Sequence, residues 1–264
     1  FPWTELPSGY YTSFEGAYQE SVKYTVEIRY TDEAGNVSPI RKKSFFVDRD
    51  IPAPPIWLLD DSDGVEVYED RVMNLPAVLT AADPVDESGG TYEYSYALDD
   101  GIYSDWVPLP VGDTRKFEGV EDENVKYTVR LRYVDLAGNA SPVVARSFFI
   151  DYERPAAPVW DIVDEAGQKV TNGQVVREKA VLTATDPSYE TGGVFQYAFD
   201  DNRDGLYSEW VTMEIGETTT FLGKDNDKVW IDLKIRYIDR TGNPGAEDAI
   251  QFKIDRIPPD EASD

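Results

Sequence analysis

The sequence predicts an all-β chain of tandem two-sheet sandwich domains, the first of them incomplete, and three observations carry that prediction. One stretch, Tyr127 to Asp151, occurs three times: Tyr30, Tyr133 and Tyr237 close the same segment at intervals of 103 and 104 residues. An interval of that length is a small domain rather than a solenoid unit. Within the stretch, Tyr127, Val129, Leu131 and Tyr133 alternate with Thr128, Arg130 and Arg132, the period of two of a strand with one buried face. The third copy keeps the alternation with other residues, Ile231, Leu233, Ile235 and Tyr237 against Asp232, Lys234 and Arg236. Finally, turn residues separate about seven short strand segments per copy with no helical pattern, which two stacked antiparallel sheets accommodate.

The chain has 264 residues, 41% of them hydrophobic and 13% aromatic, enough to fill ordinary cores. Its 51 acidic and 25 basic residues give a net charge of −26. That charge repels nucleic-acid phosphates and anionic lipid, so neither nucleic-acid binding nor membrane insertion is expected. Self-repulsion of this size is best tolerated where cations are plentiful, which points to an extracellular setting. Cys and His are absent, removing disulfides, thiolate nucleophiles, zinc-thiolate sites and the usual general base. No apolar run approaches the roughly 18 residues of a membrane span.

In chain order, Trp3 precedes Tyr24 by 21 residues, as Trp106 precedes Tyr127 and Trp210 precedes Ile231. Residues 1–50 therefore read as the C-terminal half of a unit. Their apolar face is expected to be completed by upstream or neighbouring polypeptide, for which a homo-oligomer or surface assembly is one form. The segments 48–57 and 151–160 are proline-rich linkers, stiff rather than floppy, so the domains are expected to stand as a semi-rigid rod. The second unit, 51–153, opens at Ile56 to Leu59. It continues through Ala77 to Asp83, Thr91 to Leu98, Ile102 to Leu109 around Trp106, and Arg115 to Phe117, before the closing hairpin. The third unit, 154–258, repeats that order from Val159 to Asp255, and 259–264 is an acidic linker or tail. Each closing hairpin turns at a segment such as Asp135-Leu-Ala-Gly138-Asn139. Its Asp can bond backbone two residues on, and Gly or Asn can take positive φ. Thr241 and Pro244-Gly245 break this pattern in the third copy, so its tip is expected to differ in shape.

The segments YALDDGIYSDW, KYTVRLRYVDLAGNASP and FFIDYERPAAP resemble the immunoglobulin-like, fibronectin type III-like repeats of bacterial surface and secreted proteins. The resemblance covers essentially the whole chain, and its motifs are structural. It implies immunoglobulin-like sandwich domains serving as stalks, spacers, adhesin segments or accessory modules, without naming a ligand.

The most specific chemical signal is Asp200-Asp-Asn202-Arg-Asp204-Gly205, created by three residues that the second copy lacks between its Tyr96 and Trp106. Side chains one, three and five of such a loop can converge on calcium while Gly allows the turn, with Glu209 close by in place of the usual twelfth ligand. The same composition also suits a polar turn. At the domain junctions, Asp83 and Asp135 are expected near Asp48 and Asp50, and Asp186 and Asp239 near Asp151. Such clusters either hold a cation or brace their own turns. Trp3, Trp106 and Trp210 are expected to fill sheet cores, and Trp57 and Trp160 to pack the interdomain seam. Trp230 replaces Lys23 and Lys126 of the other copies and is the aromatic most suited to a ligand. These signals describe a non-enzymatic structural or adhesive rod segment of a bacterial extracellular surface protein. A glycan- or protein-binding module and the accessory array of a secreted enzyme are the alternatives.

Overall fold

The structure, a computed structural model, describes residues 2–82, 89–185 and 192–258, and no helix occurs among them. The first strands are β1 (Ser21–Ile28) and β2 (Arg41–Asp48). Next come β3 (Leu59–Asp61), β4 (Arg71–Met73), β5 (Ala77–Thr80), β6 (Thr91–Leu98), β7 (Val107–Leu109), β8 (Thr114–Phe117), β9 (Asn124–Val134) and β10 (Val144–Asp151). The last eight are β11 (Val159–Asp164), β12 (Gln174–Val176), β13 (Lys179–Thr185), β14 (Val194–Asp200), β15 (Val211–Met213), β16 (Thr218–Leu222), β17 (Lys228–Ile238) and β18 (Asp248–Asp255). They pair as the hairpin β1-β2, the three-stranded sheets β3-β5-β8 and β11-β13-β16, and the five-stranded sheets β4-β10-β9-β6-β7 and β12-β18-β17-β14-β15. The strand order thus repeats, and the fold is all-β with tandem sandwiches. By contacts the chain divides into two compact units, residues 1–69, 77–116 and 127–148 in one and 70–76, 117–126 and 149–264 in the other.

The alternation read from the sequence becomes burial. Along β17, Ile231, Leu233, Ile235 and Tyr237 are buried while the residues between them are half-buried. They pack with Ile162, Ala180, Leu182 and Phe221 of the three-stranded sheet and with Ile250, Phe252 and Ile254 of β18. Each such apolar side chain taken fully from water contributes about 1.5–3 kcal/mol. Strands β4 and β12 have three residues each, too few to show a period in the sequence. β12 joins β18 in parallel, Gln174 opposite Phe252.

One tyrosine fixes how each sheet begins. The buried Tyr237 hydroxyl accepts the Gly193 amide at 3.0 Å, and Phe195 stands edge-on to its ring at 5.2 Å. Tyr133 repeats this with Gly90 at 2.9 Å and Tyr92 at 5.2 Å. A Cβ on Gly90 or Gly193 would collide with both the tyrosine hydroxyl and a strand carbonyl, so close approach explains these glycines.

The hairpin β1-β2 keeps part of this core. Tyr24 stacks on Phe45 at 5.8 Å, and Phe14 lies 5.0 Å from Tyr24. Further along the same face Ile28 is 62% and Tyr30 70% exposed, where the equivalent Leu131 and Tyr133 are 1% and 2% exposed.

Candidate functional site

The three hairpin turns form one recurrent motif centred on an aspartate. In the first, Asp32 Oδ1 accepts the Asn36 amide at 2.7 Å, and Oδ2 accepts Asn36 Nδ2 at 2.9 Å. These donors, the Asn36 side chain foremost, hold the Asp32 carboxyl below the usual aspartate value. In the second, Asp135 Oδ1 accepts the amides of Ala137 and Asn139, both at 2.8 Å, and Oδ2 accepts Asn139 Nδ2 at 2.9 Å. In the third, Asp239 Oδ1 accepts the amides of Thr241, Gly242 and Asn243 at 2.8, 2.7 and 2.8 Å. The Thr241 and Pro244-Gly245 substitutions do not reshape the tip, contrary to the sequence expectation. Asp135 N to Asn139 O and Asp239 N to Asn243 O, at 3.0 and 3.1 Å, close both loops alike. The Thr241 hydroxyl adds a 2.7 Å bond to Asp239 Oδ1.

The asparagine that ends each turn also reaches outward. Asn139 Nδ2 donates to the main-chain carbonyl of Asp48 at 3.3 Å, and Asn243 Nδ2 to that of Asp151 at 2.8 Å. Each acceptor is the last residue of a preceding closing strand, β2 or β10. The carboxylates of those aspartates cap the chain as it leaves the strand: Asp48 Oδ1 accepts the Asp50 amide and Asp151 Oδ1 the Glu153 amide, each at 3.1 Å. Asp255 does the same for Ile257 at 3.1 Å. The environments then diverge. Burial pushes the Asp151 carboxyl above its ordinary value; the Glu153 amide opposes this, the charges of Asp239 and Glu153 add to it, and the Thr241 hydroxyl opposes it weakly. Burial also pushes Asp255 up, but the Ile257 amide, Lys228 at 3.2 Å and Lys253 at 3.9 Å outweigh it and hold Asp255 low.

The loop of residues 200–205 is built around the buried Asp200. Its Oδ1 accepts the amides of Asn202 and Arg203 at 3.0 and 2.8 Å, and Oδ2 accepts that of Gly205 at 2.9 Å. Burial pushes this carboxyl up, and the surrounding amides of Asn202, Gly205, Arg203 and Asp204 more than offset it, so it lies below its usual value. Asn202 Oδ1 accepts the Asp204 amide at 2.9 Å, and Asp204 accepts Asn202 Nδ2 at 3.1 Å and the Leu206 amide at 2.8 Å. The shorter second copy instead turns through Asp99 and Asp100, both at positive φ (47° and 58°), as a two-residue hairpin turn requires.

The extra residues bring Arg203 over Trp230. The guanidinium lies 3.7 Å from the ring centroid, within 3.5 Å of Asp232 Oδ1 and 3.2 Å from Gln251 Oε1. Two departures seen separately in the sequence, the inserted loop and the unmatched Trp230, are thus one packing unit. The loop sets its own cation on the ring of Trp230 and beside Asp232 of β17. Glu209 is exposed beyond the loop. Asp83 and Asp186, assigned to the junctions from sequence, lie outside the described residues. Among the described residues, no three acidic side chains gather closely enough to share a metal ion.

The tryptophans differ from expectation. Trp3 is 46% exposed and lies over Arg29 at 4.1 Å; Trp106 lies over Arg132 at 4.2 Å and Trp210 over Arg236 at 4.1 Å. All three cover the outward face of the sheet, because Tyr, Val, Leu and Ile already occupy the inward positions. A constant spacing of 26 residues between each Trp and its Arg was the available signal. Trp57 lies under Arg146 at 5.3 Å, and the Trp160 indole donates to Asp248 at 2.9 Å. Both serve the closing strand of their own copy, where a seam was expected.

Comparison with known proteins places the repeats. No curated protein matches the chain. Among solved structures, the FN1–FN3 domains of chicken CNTN1 share 12% identity over 88% of this chain and 77% of that one, with a TM-score of 0.41. The fibronectin(III)-like modules of Clostridium thermocellum CbhA share 12% over 78% of this chain and 100% of that one, with a TM-score of 0.38. The family model described as a bacterial Ig-like domain matches residues 17–49 and 85–152. Over those residues the chain is similar in sequence to the bacterial Ig-like domain family.

Proposed function

We propose that this chain is a non-enzymatic structural segment of a bacterial extracellular surface protein, in which the turn asparagine of one repeat secures the end of the repeat before it. Bacterial Ig-like and fibronectin(III)-like modules are typical of extracellular proteins and typically non-catalytic, which supports a structural or binding role. The observation that carries the structural reading is the repeated bond from Asn139 to the Asp48 carbonyl and from Asn243 to the Asp151 carbonyl. A side chain spent on the preceding strand end costs conformational freedom and serves a chain whose repeats must hold a fixed order. Native-state amide exchange tests this. Asn243→Ala should speed exchange of the amides around Asp151, and Asn139→Ala that of the amides around Asp48, with the rest of each sheet still protected. Unchanged exchange at both strand ends would remove the structural reading.

A binding role is favoured by one observation, that the 200–205 loop and Trp230 belong to the third copy alone. A glycan or protein ligand lost on Trp230→Ala, with the fold intact, would move the account to that reading. A place in the accessory array of a secreted enzyme would use the same modules. Calcium in the loop would have to draw on oxygens of Asp200, Asn202 and Asp204 that already accept amides. A melting temperature that rises with calcium, and does not in Asp204→Ala, would support that site; identical melting in calcium and chelator would remove it.

A further inference from the structure

Arg146 of β10 occupies a cleft in its own repeat. Its guanidinium lies 5.3 Å from the Trp57 ring centroid, donates through Nη1 to the Val67 carbonyl at 2.6 Å and stands 3.4 Å from Glu66 Oε1. A planar cation on an aromatic face, with a carbonyl and a carboxylate as acceptors, is a complete guanidinium site. In the second copy the chain fills that site itself.

The third copy keeps the cleft and loses the arginine. Trp160, Lys169 and Val170 stand where the second copy has Trp57, Glu66 and Val67, and Ile250 stands in place of Arg146. The hydrogen bonds match accordingly. Val67 N bonds Leu59 O and Val170 N bonds Ile162 O, both at 2.8 Å; the amides after Arg146 and Ile250, those of Ser147 and Gln251, are taken by Glu69 and Asn172. Ile250 is 8% exposed and packs into the core, and among the described residues no cation lies on Trp160. A cleft of about 300 Å³ remains there, with Trp160, Ile250, Val170, Lys169, Asp161 and Asp248 in its walls.

The acceptors for a cation persist in that cleft. Val170 is 1% exposed, yet among the described residues nothing donates to its carbonyl, and a buried acceptor without a donor is costly. Lys169, in place of Glu66, is held by Asp161 at 3.5 Å. The carboxylate comes instead from Asp248, where the second copy has Val144. Asp248 Oδ2 accepts the Trp160 indole at 2.9 Å and Oδ1 the Ala249 amide at 2.8 Å, which leaves each oxygen a lone pair for another donor. With Asp161 and Asp248 against Lys169, the cleft is net negative, in a chain whose net charge is −26.

We propose that the cleft between β11 and β18 of the third copy binds an arginine side chain from a basic segment of a partner polypeptide. The guanidinium lies on Trp160 and donates to Asp248 and the Val170 carbonyl, as Arg146 serves Trp57, Glu66 and Val67 in the second copy. The site uses neither the turn asparagines nor the 200–205 loop, so it stands independently of the roles given to them.

The test titrates the full nitrogen-15-labelled chain with the peptide acetyl-Gly-Arg-Gly-amide and follows the tryptophan indole signals, with the neutral citrulline peptide as its isosteric control. A saturable shift of the Trp160 indole is expected, with the Trp57 indole unmoved because Arg146 already covers it. Asp248→Asn keeps an acceptor for the indole and should weaken binding at least about threefold through the lost charge. Arg146→Ile should open the cleft of the second copy and make Trp57 respond as well. The proposal is overturned by no Trp160 shift at millimolar peptide, by equal binding of the citrulline peptide, by binding indifferent to Asp248→Asn, or by a Trp57 shift matching that of Trp160 in the unmodified chain. A Trp160 shift from chitotetraose with none from the arginine peptide would also overturn it, since the occupant would then be a glycan.

Discussion

Replacing Tyr30, Tyr133 and Tyr237 by Phe makes one chemical change in three environments, and the structure orders the outcomes. In Tyr237→Phe the fully buried ring remains, so no cavity opens, but the buried Gly193 amide loses its 3.0 Å acceptor. An orphaned buried donor costs about 1–3 kcal/mol. For a domain of about 100 residues, 1 kcal/mol lowers the melting temperature by roughly 4–8 °C, so a loss near the middle of the range is a drop of roughly 8–16 °C. In Tyr133→Phe the Gly90 amide is only half-buried, water replaces part of the lost bond, and about 1 kcal/mol is expected. Tyr30 is 70% exposed, and its substitution should stay within about 0.5 kcal/mol. Native-state amide exchange reads β1, β9 and β17 separately in the intact chain. Equal effects at the three positions, or a Tyr30→Phe loss matching that of Tyr237→Phe, would refute the role given to the hydroxyl.

Three further outcomes can be checked. Asp135→Ala removes the acceptor of two amides and one side-chain amide and should destabilise its repeat by about 1–3 kcal/mol in urea unfolding; an unchanged midpoint would contradict the turn argument. Asp151 has a raised folded value, so its contribution to stability is fully present below the ordinary aspartate range and is lost as pH rises through the raised one. Asp151→Asn should therefore raise the urea midpoint of the third repeat at about pH 7 and change it little at about pH 3, and a gain confined to acid would reverse the assignment. A double-mutant cycle of Arg203→Ala and Trp230→Ala should give a coupling of about 0.5–2 kcal/mol, whereas strict additivity would mean that the stacking does not hold the loop.

Period-two burial and Asp-Gly-Asn turns are local, and for that reason they were readable: Val129, Leu131 and Tyr133 declare their face by spacing alone. What escaped depended on neighbours distant in sequence. β4 and β12 are defined by the strand they join rather than by any pattern of their own. The tryptophans were assigned to the core because large aromatics fill cores, yet the inward positions were already taken, and the outward arginines provided flat cationic surfaces for them. The 200–205 insertion and Trp230 were each visible as departures from the repeat. Only the pairing of Asp200 with Asp232 across β14 and β17 brings the loop over that ring. The role of the turn asparagine was half legible: the closeness of its turn, through Asp135 and Asp239, to Asp48 and Asp151 followed from the fold, whereas the acceptor is a main-chain carbonyl, which no side-chain reading identifies.

The central claim, that the turn asparagine secures the preceding strand end, is tested most directly by exchange of the side-chain amide protons of Asn36, Asn139 and Asn243. Asn243 is buried at 9% exposure and bonds the Asp151 carbonyl at 2.8 Å, while Asn139 is half-buried and bonds that of Asp48 at 3.3 Å. Among the described residues, Asn36 is exposed and bonds only within its own turn. The account predicts protection in the order Asn243, Asn139, Asn36, with the last close to a free asparagine. Equal exchange at all three, or slowest exchange at Asn36, would contradict it.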